Sequence, residues 1–261
     1  MAVAPVVAVV VAVVVSPFNR MKARFLWRAF KARYRDQVAE MRAIRAAVRP
    51  EDTVCDVGAN KGSYIYWLSR WASRGRVIAF EPQERLCVYL RNVCDALSLR
   101  NVTIEAKAVH ARKGTVNFHI PGEGDSPGAS MNSRMAAHGG CRTVQVPVVS
   151  LDEYFPPETR VSVLKIDVEG AELGLFQGAT RILKQHGPLL VFECENRHME
   201  TGGVQDVFRY LEGLGYSGRF VHGRELRPLA EFDASIHQRQ VGDRFWDAKD
   251  YYNNFVFEKR P

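Results

Sequence analysis

The sequence predicts an α/β fold built on a mostly parallel sheet with helices on both faces, and three observations carry that expectation. From Thr53 onwards, short β-branched or apolar runs alternate with amphipathic segments of helical length. A glycine-bearing turn, Gly58-Ala-Asn-Lys-Gly62, joins the first strand to the first helix of that series. Acidic residues stand just past the strands at Glu81, Asp167 and Glu193, where open parallel sheets bind ligands. At 261 residues, 46% hydrophobic and 25% charged, the chain is long enough for one such domain with additions.

The chain opens on an apolar segment, residues 1–19, in which Ala2 to Val15 holds only Ala, Val and Pro. It falls short of the roughly 20 apolar residues that span a bilayer, and it lacks the basic start and cleavage site of a signal peptide. Four readings stay open: a short membrane-inserting anchor, a divergent targeting segment, a strand, or sequence upstream of a true start at Met21. Residues 20–49 form a basic amphipathic segment. Helical spacing over Met21 to Val48 lines up Phe25, Ala29, Ala32, Val38, Met41, Ile44 and Val48 opposite a cationic face. Such a helix either lies on a membrane surface or lays its apolar stripe over a core. The net charge of +7 is located here: ten Lys/Arg against Asp36 and Glu40 give a local +8, so residues 50–261 carry a net −1. That nearly neutral body gives no reason to expect nucleic acid as a partner.

Residues 50–261 form the main domain, with an insert at 121–142 and a carboxyl-terminal excursion at 224–252. Pro50 stops the basic helix, and Thr53 to Val57 is the first strand. Gly58 and Gly62 free the backbone of the turn, and Ser63 to Trp71 is helical. The turn lacks the three-glycine dinucleotide fingerprint, and Asp56 aims a carboxylate where a pyrophosphate would lie, which suits a cationic ligand better. Tyr64, one turn along the helix, is a further contact candidate, whereas Trp67 is expected in the core. Arg76 to Phe80 is a strand ending on Glu81-Pro82. An acid about 20 residues past the glycine turn is placed to accept ribose hydroxyl hydrogens. Gln83 to Leu97 is the next helix and Asn101 to Val109 the next strand. Gly114 to Ile120 and Thr143 to Val149 alternate as half-buried strands around the Gly-, Ser- and Asn-rich insert, read as a mobile loop.

Val161 to Ile166 is a strand that delivers Asp167, followed by Glu169, a turn at Gly170 and a helix over Ala171 to Gln185. Glu172 sits in that helix's first turn, where the dipole also favours an acid. Pro188 to Phe192 is a strand that puts Glu193 on the same edge as Asp167. With His198, these carboxylates are placed to deprotonate a hydroxyl or to hold a divalent cation that does so. A helix over Asp206 to Leu214, a strand over Ser217 to Val221 and a last strand over Asn254 to Glu258 complete the domain. In the excursion, Phe245, Trp246, Tyr251 and Tyr252 either close over a sugar or pack the final hairpin.

Four blocks carry a family resemblance: Asp56-Val-Gly-Ala-Asn-Lys-Gly62, Val77-Ile-Ala-Phe-Glu-Pro82, Val149-Ser-Leu-Asp-Glu-Tyr154 and Leu164-Lys-Ile-Asp-Val-Glu-Gly-Ala-Glu172. In order and spacing they resemble the FkbM-type family of S-adenosylmethionine-dependent methyltransferases, over about Val54 to Glu195. The resemblance implies a Rossmann-like class I methyltransferase fold with a seven-stranded sheet and a final antiparallel strand. It also implies O-methylation of a sugar, a glycolipid or another small natural product. S-adenosylmethionine, with its ammonium and sulfonium charges, suits the anionic rim of Asp56 and Glu81, alongside Gly58, Ala59, Asn60, Gly62, Tyr64 and Pro82. The resemblance puts adenine contacts at Lys107 and Ala108, although a lysine side chain cannot accept the adenine amino hydrogen. Ser130, Met131, Asn132, Glu169 and Glu172 are acceptor-side candidates, and Asp167 with Glu193 or His198 is the catalytic set. A divalent cation on Asp167 and Glu193 and a homo-oligomer are left open. So are N-methylation of a small molecule, a nucleic-acid methyltransferase, and a non-catalytic membrane-associated binding protein. Five scattered cysteines without metal or redox spacing favour a reducing, cytoplasmic setting, with residues 1–49 as the link to a membrane surface.

Overall fold

Parallel strands buried on both faces need apolar side chains at nearly every position, and the strands of this chain meet that demand at one edge-aligned register. The computed structural model describes residues 17–133, 140–242 and 244–260. Its strands are β1 (Thr53–Val57), β2 (Arg76–Phe80), β3 (Val102–Glu105), β4 (Ala108–Val109), β5 (Gly114–Pro121) and β6 (Cys141–Val149). They continue with β7 (Val161–Ile166), β8 (Leu189–Glu193), β9 (Tyr216–His222), β10 (Glu225–Pro228) and β11 (Asn254–Lys259). The main sheet runs β10-β9-β11-β8-β7-β1-β2-β3, and a small second sheet runs β4-β6-β5. β3, β2, β1, β7 and β8 are parallel, and β11 enters antiparallel between β8 and β9. Val57 pairs with Phe80 and with Ile166, and Ile166 with Phe192. That register brings Gly58, Glu81, Asp167 and Glu193 to a common edge.

The helices are α1 (Pro17–Lys31), α2 (Val38–Ala47), α3 (Ile65–Trp71), α4 (Glu84–Ala96), α5 (Leu151–Tyr154), α6 (Glu172–Gln177), α7 (Thr180–Gln185), α8 (Val204–Gly213) and α9 (Ala234–His237). Strand residues alternate between two cores. Val54, Val77, Val163, Val191 and Val256 meet α2, α3 and the start of the π-helical turn that follows α1. Cys55, Phe80, Leu164, Ile166, Phe192 and Phe257 meet α6, α7 and α8. The whole amino-terminal stripe, Phe25, Ala29, Ala32, Val38, Met41, Ile44 and Val48, is buried. It therefore covers the sheet, and lipid cannot reach it. None of the described helices is long and apolar enough to cross a bilayer. Residues 1–16, whose nature was left open above, lie outside the described residues.

Four boundaries differ from the sequence expectation. The main sheet has eight strands, not seven, because β10 pairs antiparallel with β9 through the turn at Gly223. Its sequence, Glu-Leu-Arg-Pro, is a mostly polar edge strand with too few apolar residues to show alternation. The basic helix is interrupted by a π-helical turn at Ala32–Asp36, closed by Gln37 N–H donating to the Ala32 carbonyl at 2.7 Å. Asn101 to Val109 divides between the two sheets. Ala171 to Gln185 breaks into α6 and α7 at Gly178, where a Cβ would stand 2.2 Å from the His110 carbonyl oxygen.

One buried acid strains this packing. Glu40 on α2 is 2% exposed, its Oε2 has no hydrogen-bond partner among the described residues, and burial raises its pKa from 4.5 to about 7. A carboxyl raised in the folded state binds its proton more tightly folded than unfolded, so stability falls as pH rises from 4.5 through 7. Glu40→Gln should remove roughly 3 kcal/mol of that loss, at about 1.4 kcal/mol per pH unit. Thermal melts between pH 5 and 8 should show a shallower decline for the variant than for the parent chain.

Candidate active site

The edge formed by the tips of β1, β2 and β7 begins with a backbone contact. Gly58 takes a φ of +77°, and a Cβ on it would lie 1.8 Å from the Asp167 carbonyl oxygen. Only glycine permits both the left-handed turn and the approach of the two loops. Asn60, also left-handed at φ +46°, turns its N–H towards Glu81 and donates to Oε2 at 2.8 Å. Gln83 N–H donates to Oε1 at 2.9 Å. Glu81 is thus fixed by both oxygens, and its burial pushes the carboxyl up to about 7.

Glu81 rims a groove of about 500 Å³. Of the donor candidates, Gly58, Asn60, Glu81, Pro82, Lys107 and Ala108 line this groove, joined by Asp167 and Met131. Lys107 keeps its ammonium on Glu105 Oε2 at 2.6 Å, and Glu105 Oε1 accepts from the Tyr154 hydroxyl at 2.9 Å. Its side chain is therefore committed to a neighbour. Ala59 and Gly62 belong to the turn but not to the groove wall: Ala59 N–H donates to the Phe80 carbonyl at 3.0 Å, and Gly62 packs against Phe25 and Leu90. Asp56 and Tyr64 lie deeper, both buried and both off the groove lining.

What holds Asp56 there is a residue given no role in the sequence reading. Lys165 on β7, itself buried, stands 3.6 Å from Asp56 Oδ1 and 3.6 Å from Asp167 Oδ2, with the Tyr64 ring 5.1 Å from its ammonium. Burial alone would lower the Lys165 pKa, but Asp167, Asp56 and Glu193 outweigh it and raise it, so the ammonium stays charged. Burial raises the Asp56 carboxyl, with Lys165 opposing the shift. The sequence did hold a signal. In Val-Ser-Val-Leu-Lys-Ile, a cation occupies a position that alternation assigns to a buried face.

A second group forms beyond Asp167. Glu169, left-handed at φ +52°, brings Oε2 within 2.5 Å of His198 Nδ1. Burial lowers the His198 pKa, yet the Glu169 carboxylate outweighs it and holds the imidazole above its ordinary range. Asp167 is also within electrostatic reach of Glu169, and its side chain is 35% exposed. Ser130 and Asn132, the acceptor-side candidates of the insert, attach to this pair. Ser130 Oγ donates to the Glu169 carbonyl at 2.6 Å, and Asn132 Nδ2 donates to the His198 carbonyl at 2.5 Å. Both residues, with Met131, line a second, open cleft of about 800 Å³ that also includes Gly170, Gly174 and Met199. Residues 134–139 of the insert lie outside the described residues.

Two acceptor-side or catalytic candidates are placed against their expected roles. Glu172 is 1% exposed, accepts from Gly170 N–H at 3.0 Å and is pushed by burial to about 7, so it braces the Gly170 turn rather than facing a substrate. Glu193 is raised well above the ordinary carboxyl range by burial and by Asp167, with Asn253 Nδ2 donating to it at 2.9 Å. A carboxyl held protonated is a poor proton acceptor. Its neighbour Glu195 takes the charge instead, bound by Arg197 at 2.5 Å and by the Tyr251 hydroxyl at 2.5 Å. Tyr251 therefore anchors the excursion rather than lining an acceptor cleft. Among the described residues no three His, Cys, Asp or Glu side chains converge as a metal site.

A family model described as the methyltransferase FkbM domain matches residues 56–217, which contain the groove, Lys165 and the Glu169–His198 pair. The chain belongs to the FkbM methyltransferase family. The solved FkbM methyltransferase from Methylobacillus flagellatus KT aligns over 92% of this chain and 57% of its own length, at 14% identity and a TM-score of 0.52. An O-methyltransferase from Bacillus cereus, solved with SAH, aligns over 95% of this chain and 94% of its own, at 13% identity and a TM-score of 0.49. At this identity the likeness to the M. flagellatus protein speaks for the fold alone, and this chain spans little more than half of that protein. Among curated proteins nothing matches.

Within this FkbM domain, removing one member of the buried charge group should cost far more than removing two. Lys165→Met leaves Asp56 and Asp167 facing each other without a cation and should lose about 3–5 kcal/mol of stability. Adding Asp56→Asn should recover most of that loss. Denaturant unfolding of the two singles and the double variant measures the coupling directly.

Proposed function

We propose that this chain is an S-adenosylmethionine-dependent O-methyltransferase acting on a hydroxyl of a sugar, glycolipid or other small natural product. The observation that carries the reading is the juxtaposition, on one sheet edge, of the groove rimmed by Glu81 with an imidazole–carboxylate pair at His198 and Glu169. The groove fits the cofactor on its own chemistry. Glu81 is an acid already oriented by two backbone N–H groups, and the Gly58 turn leaves no Cβ where the two loops meet. When bound, S-adenosylmethionine supplies a methyl group made electrophilic by its sulfonium.

The residues of the chain divide the remaining tasks. Glu81 accepts the ribose hydroxyl hydrogens, and the backbone at Lys107 and Ala108 borders the base. Asp167, the exposed carboxylate of the cluster, lines the groove and favours a cationic centre there. Asp56 acts from below through its field, moderated by Lys165. His198, held through Nδ1 by Glu169, has Nε2 left to take the acceptor proton. This assignment favours oxygen over nitrogen as the acceptor atom. A hydroxyl needs a base to become nucleophilic, whereas a neutral amine already has a lone pair.

Two outcomes test the reading. Calorimetry of S-adenosylmethionine binding should show affinity rising with pH through about 7, as Glu81 ionises. Glu81→Gln should weaken binding by about tenfold or more, the scale of a charged hydrogen bond of roughly 1.5–3 kcal/mol, and remove that pH dependence. Undiminished affinity in Glu81→Gln would reject the donor pocket. His198→Asn should keep donor affinity within a few-fold while S-adenosylhomocysteine release on a panel of glycosides and glycolipids falls about a hundredfold or more, and Asp167→Asn should lower that release while also weakening donor binding. Unchanged turnover in either variant removes that residue from the mechanism.

A further inference from the structure

The burial of the amino-terminal apolar stripe leaves the opposite side of the same helices exposed, and that side has its own order. Trp27, Phe30 and Tyr34 are 61%, 43% and 56% exposed and form a line along α1 and the π-helical turn. Phe30 and Tyr34 are in ring contact at 5.9 Å, and the Lys31 ammonium lies 5.3 Å from the Trp27 ring. Tyr34 continues this line into a cleft of about 860 Å³ between α2 and the β9–β10 turn. Four guanidinium groups, Arg33, Arg42, Arg45 and Arg224, border it. Among the described residues none of the four has a carboxylate within ion-pair distance, because Asp36, the exposed acid of the segment, is taken by Lys31 at 2.9 Å and Arg35 at 2.8 Å. The cleft is also preset. Arg33 is stacked 4.1 Å from the Trp67 ring centre, and Arg224 donates to the Tyr34 carbonyl at 3.1 Å.

We infer that this face is a docking surface for an anionic lipid bilayer, with the arginine cleft taking lipid phosphate and the aromatic line settling at the headgroup level. Unpaired guanidinium groups supply charge complementarity to lipid phosphate, and phosphate is a match for their planar donors. Exposed aromatics beside cations fit an interface that is half apolar and half wet. In sequence, the fourteen Ala, Val and Pro residues of Ala2–Val15 precede α1. Nucleic acid shares the phosphate but has no use for an apolar run, and the body beyond residue 49 carries a net −1. The inference stands apart from methyl transfer, since none of these residues borders the donor groove.

Sedimentation of the full chain with vesicles of phosphatidylcholine alone, or mixed with phosphatidylglycerol, tests it. Binding should require the anionic lipid, weaken with added salt, and fall about tenfold or more in the triple variant Arg42→Glu, Arg45→Glu, Arg224→Glu. Trp27→Ser with Phe30→Ser should weaken it separately. S-adenosylmethionine affinity should be unchanged in both variants, which distinguishes loss of docking from loss of fold. Absence of binding to anionic vesicles, equal binding to neutral vesicles, indifference to charge reversal, or tighter arginine-dependent binding to an RNA oligomer would each overturn the inference.

Discussion

The structure depends on one buried cation. Asp56, Asp167 and Glu193 reach the same sheet edge because three parallel strands end there in register, and a sheet alone offers no means of tolerating three acids so close together. Lys165, two residues before Asp167 on the middle strand of the three, stands 3.6 Å from two of them. Its partners keep it charged where burial would otherwise discharge it. The third acid, Glu193, is raised well above the ordinary carboxyl range by burial and by Asp167. The acidic edge is therefore a balanced assembly, and its negative potential is concentrated on Asp167, the one carboxylate of the three with substantial exposure.

Glycines and the insert then join the two halves of the site. Gly58 lets the first loop touch the Asp167 backbone, and Gly170, at φ +99°, lets the next loop pass within 2.2 Å of the His198 carbonyl when measured from a would-be Cβ. The insert adds three ties. Gln83 and Ser126 exchange hydrogen bonds at 3.0 Å, Ser130 holds Glu169, and Asn132 holds His198. One connection after β5 thereby reaches the donor rim at one end and the imidazole–carboxylate pair at the other. A conformational change in the insert would act on both at once.

Much of the fold was legible because its elements announce themselves locally. Thr53–Val57 and Val161–Ile166 are compact apolar strands, and Gly58 and Glu81 sit where a strand–turn–helix unit puts ligand contacts. What escaped the sequence depended on partners distant in the chain. β10 exists because β9 offers an edge, not because Glu-Leu-Arg-Pro favours a strand. Glu172 is an acceptor-side candidate by its place in the first turn after Asp167, yet the Gly170 turn folds over it and leaves it 1% exposed. Position on the edge makes Glu193 a candidate base or cation ligand; burial, with Asp167 and Glu195 beside it, instead raises its carboxyl well above the ordinary range, which no spacing rule reveals. Lys165 was visible as an anomaly in the strand pattern and required only that a buried cation be asked for its counter-charge.

The amino-terminal helices show why a single amphipathic pattern does not decide a partner. A stripe with 3.6-residue spacing says that one face is apolar, and both a membrane and a protein core satisfy it. Here the core has the prior claim: Phe25 fills the space beside Gly62, and Ile44 and Met41 close the sheet face above Val54 and Val163. Once that face is spent, the distribution of charge on the other side becomes informative rather than incidental. A merely solvated face would intersperse acids with its cations, because self-repulsion among ten Lys/Arg is unfavourable. The one exposed acid, Asp36, is consumed by Lys31 and Arg35, and the second, Glu40, is turned inward and pushed towards neutrality by burial. Turning Glu40 inward thus has two consequences of the same sign. It weakens the fold above neutral pH, and it leaves the outer arginines without the counter-charge that an exposed glutamate at that position would have provided.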